Sequence, residues 1–374
     1  MESTEIKPLR FAVIGVGAGV FSMHFPAVKQ AFVAMVGACD IREEPGQQRD
    51  AMLDVPFYTD YRQMIDELKP DVAVVITPHY CHAEIAIYCM EAGCNVLGEK
   101  PMALEVAEAD AMIETARRTG KLLAINFQHR QRPEVRAAHQ LIQEGRLGKL
   151  QRLNMVTPWP RSAAYYGQAS WRATWHGEGG GVLMNQAPHD LDLVCHLMGR
   201  PDAVVAWTRT TLHHVEVEDT ATALLRWDGG DGAGATGYIH VSTAEAGPRE
   251  DIEIVGTHGI LKIGMGSLAF REYDQDVADF LLTTPEIWAK PSSHPVEIAL
   301  EEGRGDHPAV YRNLHAAITA GVAIGADGES ARMSLELANA MILSSKTGAE
   351  VRLPVDRAQY HALLDGLKAG RKPA

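Results

Sequence analysis

The segment Arg10–Val20, RFAVIGVGAGV, constrains this chain more than any other stretch. An apolar run ends in a glycine-rich turn and a helical pattern follows. Strand, glycine turn and helix in that order form the context a dinucleotide-binding loop requires. In Gly15-Val16-Gly17-Ala18-Gly19, Gly15 permits the tight turn and Gly17 lets a pyrophosphate approach the backbone. Exposed N–H groups and the positive helix end then favour phosphate. Val20 stands where the usual spacing has its third glycine, so the helix packs against the strand less closely. Asp40 ends the next apolar run. An acid there accepts hydrogen bonds from ribose hydroxyls and repels a 2′-phosphate, which favours NAD. Arg42 keeps NADP open, because it could reach such a phosphate. The bland alternative is a glycine turn that only joins strand to helix, with Asp40 as a helix cap.

The first third repeats this alternation. Apolar runs at Phe32–Cys39, Ala73–Thr77, Asn95–Gly98 and Leu122–Asn126 are separated by amphipathic segments at Tyr61–Leu68, His82–Ala92 and Leu104–Thr119. Continuous apolar strands between helices predict a doubly wound parallel sheet covered on both faces. After Asn126 the pattern changes. A helix is predicted over Pro133–Glu144, and strands over Ala203–Leu212, Thr220–Trp227, Ala233–Ser242, Asp251–Val255 and Ile260–Ile263. The short turns between them predict an antiparallel sheet. One helix over Met184–Met198 interrupts this region, Gln275–His294 reads as loop, and the tail returns to helix at Ala309–Ala320 and Ser334–Ser345. The fold class expected is α/β plus α+β. A Rossmann domain spans residues 1–126, and residues 127–374 form an open, mainly antiparallel sheet domain for substrate and oligomerisation.

Composition narrows the function classes. A chain of 374 residues suggests two cores. A net charge of -13 with no Lys/Arg block argues against a nucleic-acid surface. No apolar run is long enough for a bilayer, and the polar N-terminus lacks a signal core, so no membrane role is expected. Five cysteines, an odd number with no CxxC pair, fit reduced thiols and a cytoplasmic location.

Two further groups of residues carry chemistry. Thr77-Pro78-His79 and His82 follow one strand, and Glu99-Lys100-Pro101 follows another. Ligands bind at strand carboxyl ends in such sheets, so Lys100 would extend its ammonium into that crevice. A strand-end salt bridge for Lys100 and a plain helix-start residue for His82 are the alternatives. Later, Gly179-Gly180-Gly181 precedes a helix carrying Asn185, His189 and Asp192. Asn185 and His189 are expected on one helix face, lining a pocket; a satisfied core histidine is the alternative. Trp159, Arg161, Tyr165 and Tyr166 lie in a Pro-bounded aromatic loop suited to a sugar ring, or to plain packing on the sheet. His213, His214, Glu216, Glu218 and Asp219 cluster in sequence, but strand alternation scatters their side chains. A solvated strand end is therefore expected there, and no metal.

These motifs together resemble the Gfo/Idh/MocA (glucose–fructose oxidoreductase, inositol dehydrogenase) family over nearly the whole chain. The carriers are the glycine loop with His24 after it, Thr77–His82, Glu99–Pro101, GGGxLxxxxxHxxD at Gly179–Asp192, and the tail Glu336–Pro354. The resemblance implies hydride transfer between a sugar-like or cyclitol alcohol and nicotinamide, with Lys100 and His189 as the catalytic pair. It implies cofactor contacts from Gly15, Val16, Gly17, Ala18, Gly19, Asp40, Arg42, Thr77, Pro78, His79, His82, Glu99, Lys100, Gln128 and Arg172. Asn185, Trp159, Arg161 and Tyr166 fall to the substrate. Asn185 replaces the acid common four residues before the histidine, and an amide carries no proton relay. His189 is then expected to accept the hydroxyl proton, while Lys100, its pKa lowered by the positive nicotinamide, steadies the oxygen. The resemblance also implies a homo-oligomer, dimer or tetramer, through the C-terminal sheet. Two other functions are compatible with it: NAD-dependent glycosidase chemistry by transient oxidation and elimination, and dinucleotide-binding regulation without catalysis.

Overall fold

The computed structural model describes residues 7–43, 53–230, 232–247 and 250–370. Its chain divides into two compact units, one running to Gln131 and including Gly305–Arg332, the other holding Arg132–Arg304 and the segment from Met333. Each is described by itself.

The first unit is built on strands β1 (Leu9–Ile14), β2 (Val33–Cys39), β3 (Phe57–Tyr58), β4 (Val72–Val75), β5 (Asn95–Gly98) and β6 (Leu123–Ile125). Their order is β3-β2-β1-β4-β5-β6, and every pairing is parallel. Consecutive residues Phe11, Ala12 and Val13, and likewise Val72, Ala73 and Val74, are wholly buried. Burial of neighbours that point to opposite faces means both faces are covered, as continuous apolar runs require. Helices Tyr61–Leu68, His82–Glu91 and Val106–Thr119 supply the cover. The Asp60 side chain caps the first, and left-handed Gly120 ends the last. The chain direction of strand order reverses between β1 and β4, so Gly15 and Thr77 emerge side by side at the switch point.

The linear boundary expected after residue 126 differs from this division, because residues 305–332 return to the first unit. The physical reason is a shared core. In helix His307–Ala320, Val310, Tyr311 and Leu314 are buried, and the Tyr311 ring stacks on Phe11 at 5.6 Å. Periodicity marks that face as apolar but does not say which sheet it meets.

The second unit carries a nine-stranded sheet made of β7 (Leu150–Pro158), β8 (Ala203–Arg209), β9 (Thr220–Arg226), β10 (Thr236–Ser242), β11 (Asp251–Gly256), β12 (Gly259–Gly264), β13 (Ser267–Tyr273), β14 (Ser293–Val296) and β15 (Val351–Arg352). The order is β14-β13-β12-β11-β7-β10-β9-β8-β15. All pairs are antiparallel except β7 with β10, which is parallel. Register places Ala206, Ala223, Ile239, Met155, Ile252 and Ile263 in one row, and all are buried. The neighbouring row, Val205, Leu224, Tyr238, Asn154, Glu253 and Lys262, faces the other way and is not buried. This period of two is what a sheet open on one side shows.

Two expectations are corrected here. The single helix over Met184–Met198 is two, Val182–Asn185 and Pro188–Met198. Pro188 has no N–H to continue a helix and takes the first position of a new one. Gln275–His294 is not wholly loop: it contains helix Val277–Thr283 and the start of β14. Asp276 caps that helix through the N–H groups of Ala278 and Asp279, but no residue of it is buried, so there was no apolar stripe to read. Among the described residues no helix is long and apolar enough to cross a membrane. All five cysteines are free thiols, and burial pushes Cys39 up to about 12.

Candidate functional site

In the first unit the glycine loop closes β1 onto the start of helix Phe21–Val28. Gly15 has φ +96°, and a Cβ there would lie 2.6 Å from the Ile76 carbonyl. Only glycine fits both demands. Gly17 donates its N–H to Asp40 Oδ2 at 2.7 Å, and a Cβ on it would strike that carboxylate. Asp40 Oδ1 accepts from the Arg42 N–H at 3.0 Å and Nε at 3.1 Å. Arg42 therefore lies against Asp40 with its own side chain more than half exposed. Beyond Gly19 there is open space, and no side chain caps the helix at Val20. An uncapped helix end beside an open glycine is suited to an anion.

Two buried acceptors point the same way. Thr77 Oγ1 and Gln128 Oε1 are buried with no hydrogen-bond partner among the described residues. Leaving such a group unmade costs about 1–3 kcal/mol, which a bound ligand removes. Pro78 leads into a short 3-10 turn that holds His79, buried with its ring 5.8 Å from that of His82. The residues at these strand ends therefore fit a dinucleotide.

His82 and Glu99 sit differently from the expected cofactor contacts. His82 is buried, with Nδ1 2.8 Å from the Pro101 carbonyl and Nε2 2.8 Å from the Thr77 carbonyl. Burial lowers its pKa although both carbonyls favour the charged form. It clamps the Thr77 and Pro101 backbones together. Glu99 Oε1 accepts from His24 Nε2 at 2.9 Å and from Asn126 Nδ2 at 2.5 Å, and Oε2 accepts from the Lys100 N–H at 3.2 Å. His307 Nε2 lies 3.8 Å from the same carboxylate. Burial alone would raise the Glu99 pKa, but the His24 hydrogen bond and the surrounding charges bring it to about 2. Burial holds His307 near 4, so it is neutral at pH 7. His24 Nδ1 lies 3.0 Å from the Tyr311 hydroxyl, on the side of the ring opposite the Nε2–H that donates to Glu99. The backbone that carries the half-buried Lys100 is thus fixed by an interior network centred on Glu99.

Sequence reasoning missed His307 and Tyr311, which stand more than 200 residues from Glu99 and carry no local motif. His24, Glu99 and His307 offer ligand atoms within 4.8 Å of one another. His24 and Glu99 already serve the hydrogen bonds above, and the cluster reads as a structural frame.

In the second unit His189 is buried in the first turn of helix Pro188–Met198. Asn185 ends the preceding helix, so the two residues do not share one helix face as expected. Asn185 Nδ2 donates to Glu178 Oε1, and its Oδ1 accepts from the Tyr165 hydroxyl at 3.4 Å. The same hydroxyl accepts from Arg172 at 2.8 Å and from Gln186 Nε2 at 3.0 Å. Arg172 also lies 3.7 Å from Glu178. Arg172, expected at the cofactor, is thereby placed in the Tyr165–Asn185 network. The Arg161 guanidinium lies over the Trp159 ring at 4.4 Å and the Tyr165 ring at 5.0 Å. Tyr166 bonds Thr243 Oγ1 at 2.7 Å and packs on His213, and burial pushes its phenol up to about 12.

The acidic and histidine cluster after Leu212 is dispersed. His213 Nδ1 meets Asp219 at 3.1 Å and Nε2 meets the Arg161 carbonyl at 2.8 Å. Burial would raise Asp219, but backbone N–H groups of His213, Leu212 and Thr211 hold it far below the usual carboxylate range. Glu216 accepts from the Trp175 N–H, and Glu218 from the N–H groups of Gly181 and Leu183. Burial raises Glu218 despite those donors.

Known proteins agree with this geometry. Residues 9–127 match the oxidoreductase family with an NAD-binding Rossmann fold, and residues 135–262 match the GFO/IDH/MocA C-terminal domain. D-glucoside 3-dehydrogenase of Escherichia coli is 29% identical over 226 residues, covering 59% of this chain and 63% of that protein. Myo-inositol 2-dehydrogenase of Thermotoga maritima is 24% identical over 355 residues, 92% of this chain and 98% of that protein. The match to the first of these thus spans less than two thirds of its length. The crystal structure of the WlbA dehydrogenase from Bordetella pertussis in complex with NADH and UDP-GlcNAcA superposes with a TM-score of 0.78 at 27% identity, covering 94% of this chain and 99% of that one. With residues 9–127 and 135–262 both matched to one family, the chain belongs to the Gfo/Idh/MocA oxidoreductases, and residues 9–127 carry their NAD-binding Rossmann fold.

Proposed function

We propose that this protein is an NAD-dependent dehydrogenase acting on a hydroxyl of a carbohydrate, sugar derivative or cyclitol. The observation that supports it most is the pair of unmatched buried acceptors, Thr77 Oγ1 and Gln128 Oε1, beside an open glycine loop in a family of oxidoreductases. Gly15 to Gly19 and the helix end after them hold the phosphates, Asp40 takes the ribose hydroxyls, and Thr77, Pro78, His79 and Gln128 line the strand ends. Asp40 favours NAD over NADP by charge. When bound, the nicotinamide supplies the hydride acceptor or donor.

The chain's own residues handle the proton. His189 accepts the hydroxyl proton at a ring nitrogen, and Lys100 donates hydrogen bonds that hold the substrate oxygen as charge develops on it. Asn185, with its amide fixed by Glu178 and Tyr165, orients the substrate. Trp159 and Tyr166 offer aromatic faces to the sugar ring. Replacing Lys100 with Met is expected to cut kcat at least about 1,000-fold while NADH affinity, read by fluorescence titration, changes little. Near-normal reduction of NAD on a panel of sugars and cyclitols by that variant would overturn the assignment.

A homo-oligomer through the open face of the second sheet belongs to the same reading. Trp207 and Leu224 on that face are each 52% exposed, which is unusual for side chains of that size. Leu224→Glu is expected to lower the mass measured by light scattering after size exclusion.

A further inference from the structure

We propose that Arg161 is the recognition group for an anionic substituent, a carboxylate or phosphate, on the substrate. The inference deepens the dehydrogenase reading and rests on it for the reaction, but not for the binding.

The surroundings of Arg161 differ from those of most arginines of the second unit. Arg132, Arg146, Arg152, Arg200, Arg226 and Arg357 each have a carboxylate within 4.0 Å. Among the described residues Arg161 has none. Among the described residues its guanidinium makes one hydrogen bond to the protein, from Nη1 to the Pro160 carbonyl at 3.3 Å, and its buried Nε has no partner. The guanidinium carbon lies over the Trp159 ring at 4.4 Å and over the Tyr165 ring at 5.0 Å. Aromatic rings shield a guanidinium from water while its N–H groups remain able to meet an acceptor. A planar edge of that kind binds carboxylate or phosphate through two parallel hydrogen bonds.

Neighbouring charges do not cancel it. Glu178 is engaged by Asn185, the Ala173 N–H and Arg172. Asp219 is engaged by His213 and the backbone of Thr211 to His213. Arg172 has its own counter-ion in Glu178 and hydrogen-bonds the Tyr165 hydroxyl, so it props the ring on which Arg161 lies. The buried Nε–H of this half-exposed cation is left for a ligand acceptor to satisfy. The loop is also placed for the reaction, since Tyr165 is tied to Asn185 and Gln186, the residues just before the helix that carries His189. On a chain of net charge -13, a committed cation is what an anionic substrate needs.

The test compares matched substrates with the full-length protein. NADH formation is measured on uronic acids, sugar phosphates, the corresponding neutral sugars and myo-inositol, and binding of the same compounds to the NADH-loaded protein by calorimetry. The expected result is a preference for one acidic class, which identifies carboxylate or phosphate as the group. In Arg161→Gln the ratio of kcat/KM for acid over neutral sugar should fall roughly 30-fold or more, carried by KM. Arg161→Lys should restore part of it, because the charge remains and the fork is lost. Acid binding that Arg161→Gln abolishes, with no oxidation of any compound, would support the anion site and overturn the dehydrogenase reading. No acidic preference in the unaltered protein, or an unchanged ratio in Arg161→Gln, would overturn the role of Arg161.

Discussion

The strand ends of the first unit and the aromatic loop of the second treat their charges in opposite ways. In the first, nearly every polar group has a fixed protein partner: Asp40 holds Gly17 and Arg42, Glu99 holds His24 and Asn126, and His82 faces two carbonyls. Thr77 Oγ1 and Gln128 Oε1, two of the acceptors without a protein partner among the described residues, are neutral. In the second, Arg161 lies against the Trp159 and Tyr165 rings with no carboxylate within 4.0 Å among the described residues. A frame whose groups are satisfied in advance suits a ligand of constant shape, such as a dinucleotide. A cation left unmatched sets which substrate is admitted. The division predicts that cofactor binding and substrate chemistry respond to different residues.

The largest effect that can break this division comes from His189. His189→Asn removes the proposed base while keeping a polar side chain in the buried first turn of its helix. Turnover is expected to fall about 1,000-fold or more, with the dissociation constant of NADH within about threefold. Stopped-flow turnover and fluorescence titration read the two separately. Loss of NADH affinity in step with turnover would show that the units do not divide the work.

A pH experiment sharpens the comparison by a smaller amount. His307 has its folded pKa held near 4 against an ordinary 6.5. The unfolded chain therefore takes the proton first as pH falls, so the His307 contribution is full above about pH 6.5 and lost by about pH 4. It is worth on the order of 3 kcal/mol. Glu99, held near 2 against 4.5, acts in the same sense lower down: its stabilisation is full above about pH 4.5 and lost towards pH 2. Glu218 in the second unit is raised by burial, so acidification there favours the folded state. Hydrogen exchange between pH 7 and 5 should accelerate in segments 95–126 and 307–320 more than in 203–226. His307→Gln should remove most of that acceleration.

The depth to which all this was legible follows the range of the interactions. The first sheet was legible because buried parallel strands are continuous apolar runs and the glycine loop has a fixed context. The helix at Val277–Thr283 was not, because it buries nothing. Glu99 and Lys100 were found through their place after a strand. That Glu99 turns inward depends on His307 and Tyr311, which only the tertiary fold brings near it. The break before His189 did have a signal, since Pro188 marks a helix start. Arg161 was found as one polar tip in an aromatic loop, but its lack of a counter-ion depends on where every acid of the second unit lies.

The smallest effect tests Asn185, where this chain departs from the acid implied by its resemblance. Asn185→Asp would set a second carboxylate against Glu178, which the amide now satisfies. Two carboxylates in contact cannot both ionise cheaply, so one of the pair should hold a proton well above the ordinary range. Arg172, 3.7 Å from Glu178, offsets part of the repulsion, and the Tyr165 hydroxyl still has its bonds from Arg172 and Gln186. The loop should therefore keep its place, and kcat at pH 8 should stay within about tenfold of the unaltered protein. What should change is the shape of the kcat profile, which gains an ionisation between about pH 5 and 7 that the asparagine protein lacks. A profile that superimposes on the original would mean that proton transfer at His189 is insensitive to this pair. Asn185 would then only hold Glu178 and Tyr165 in position, and its likeness to the family acid would be one of place alone.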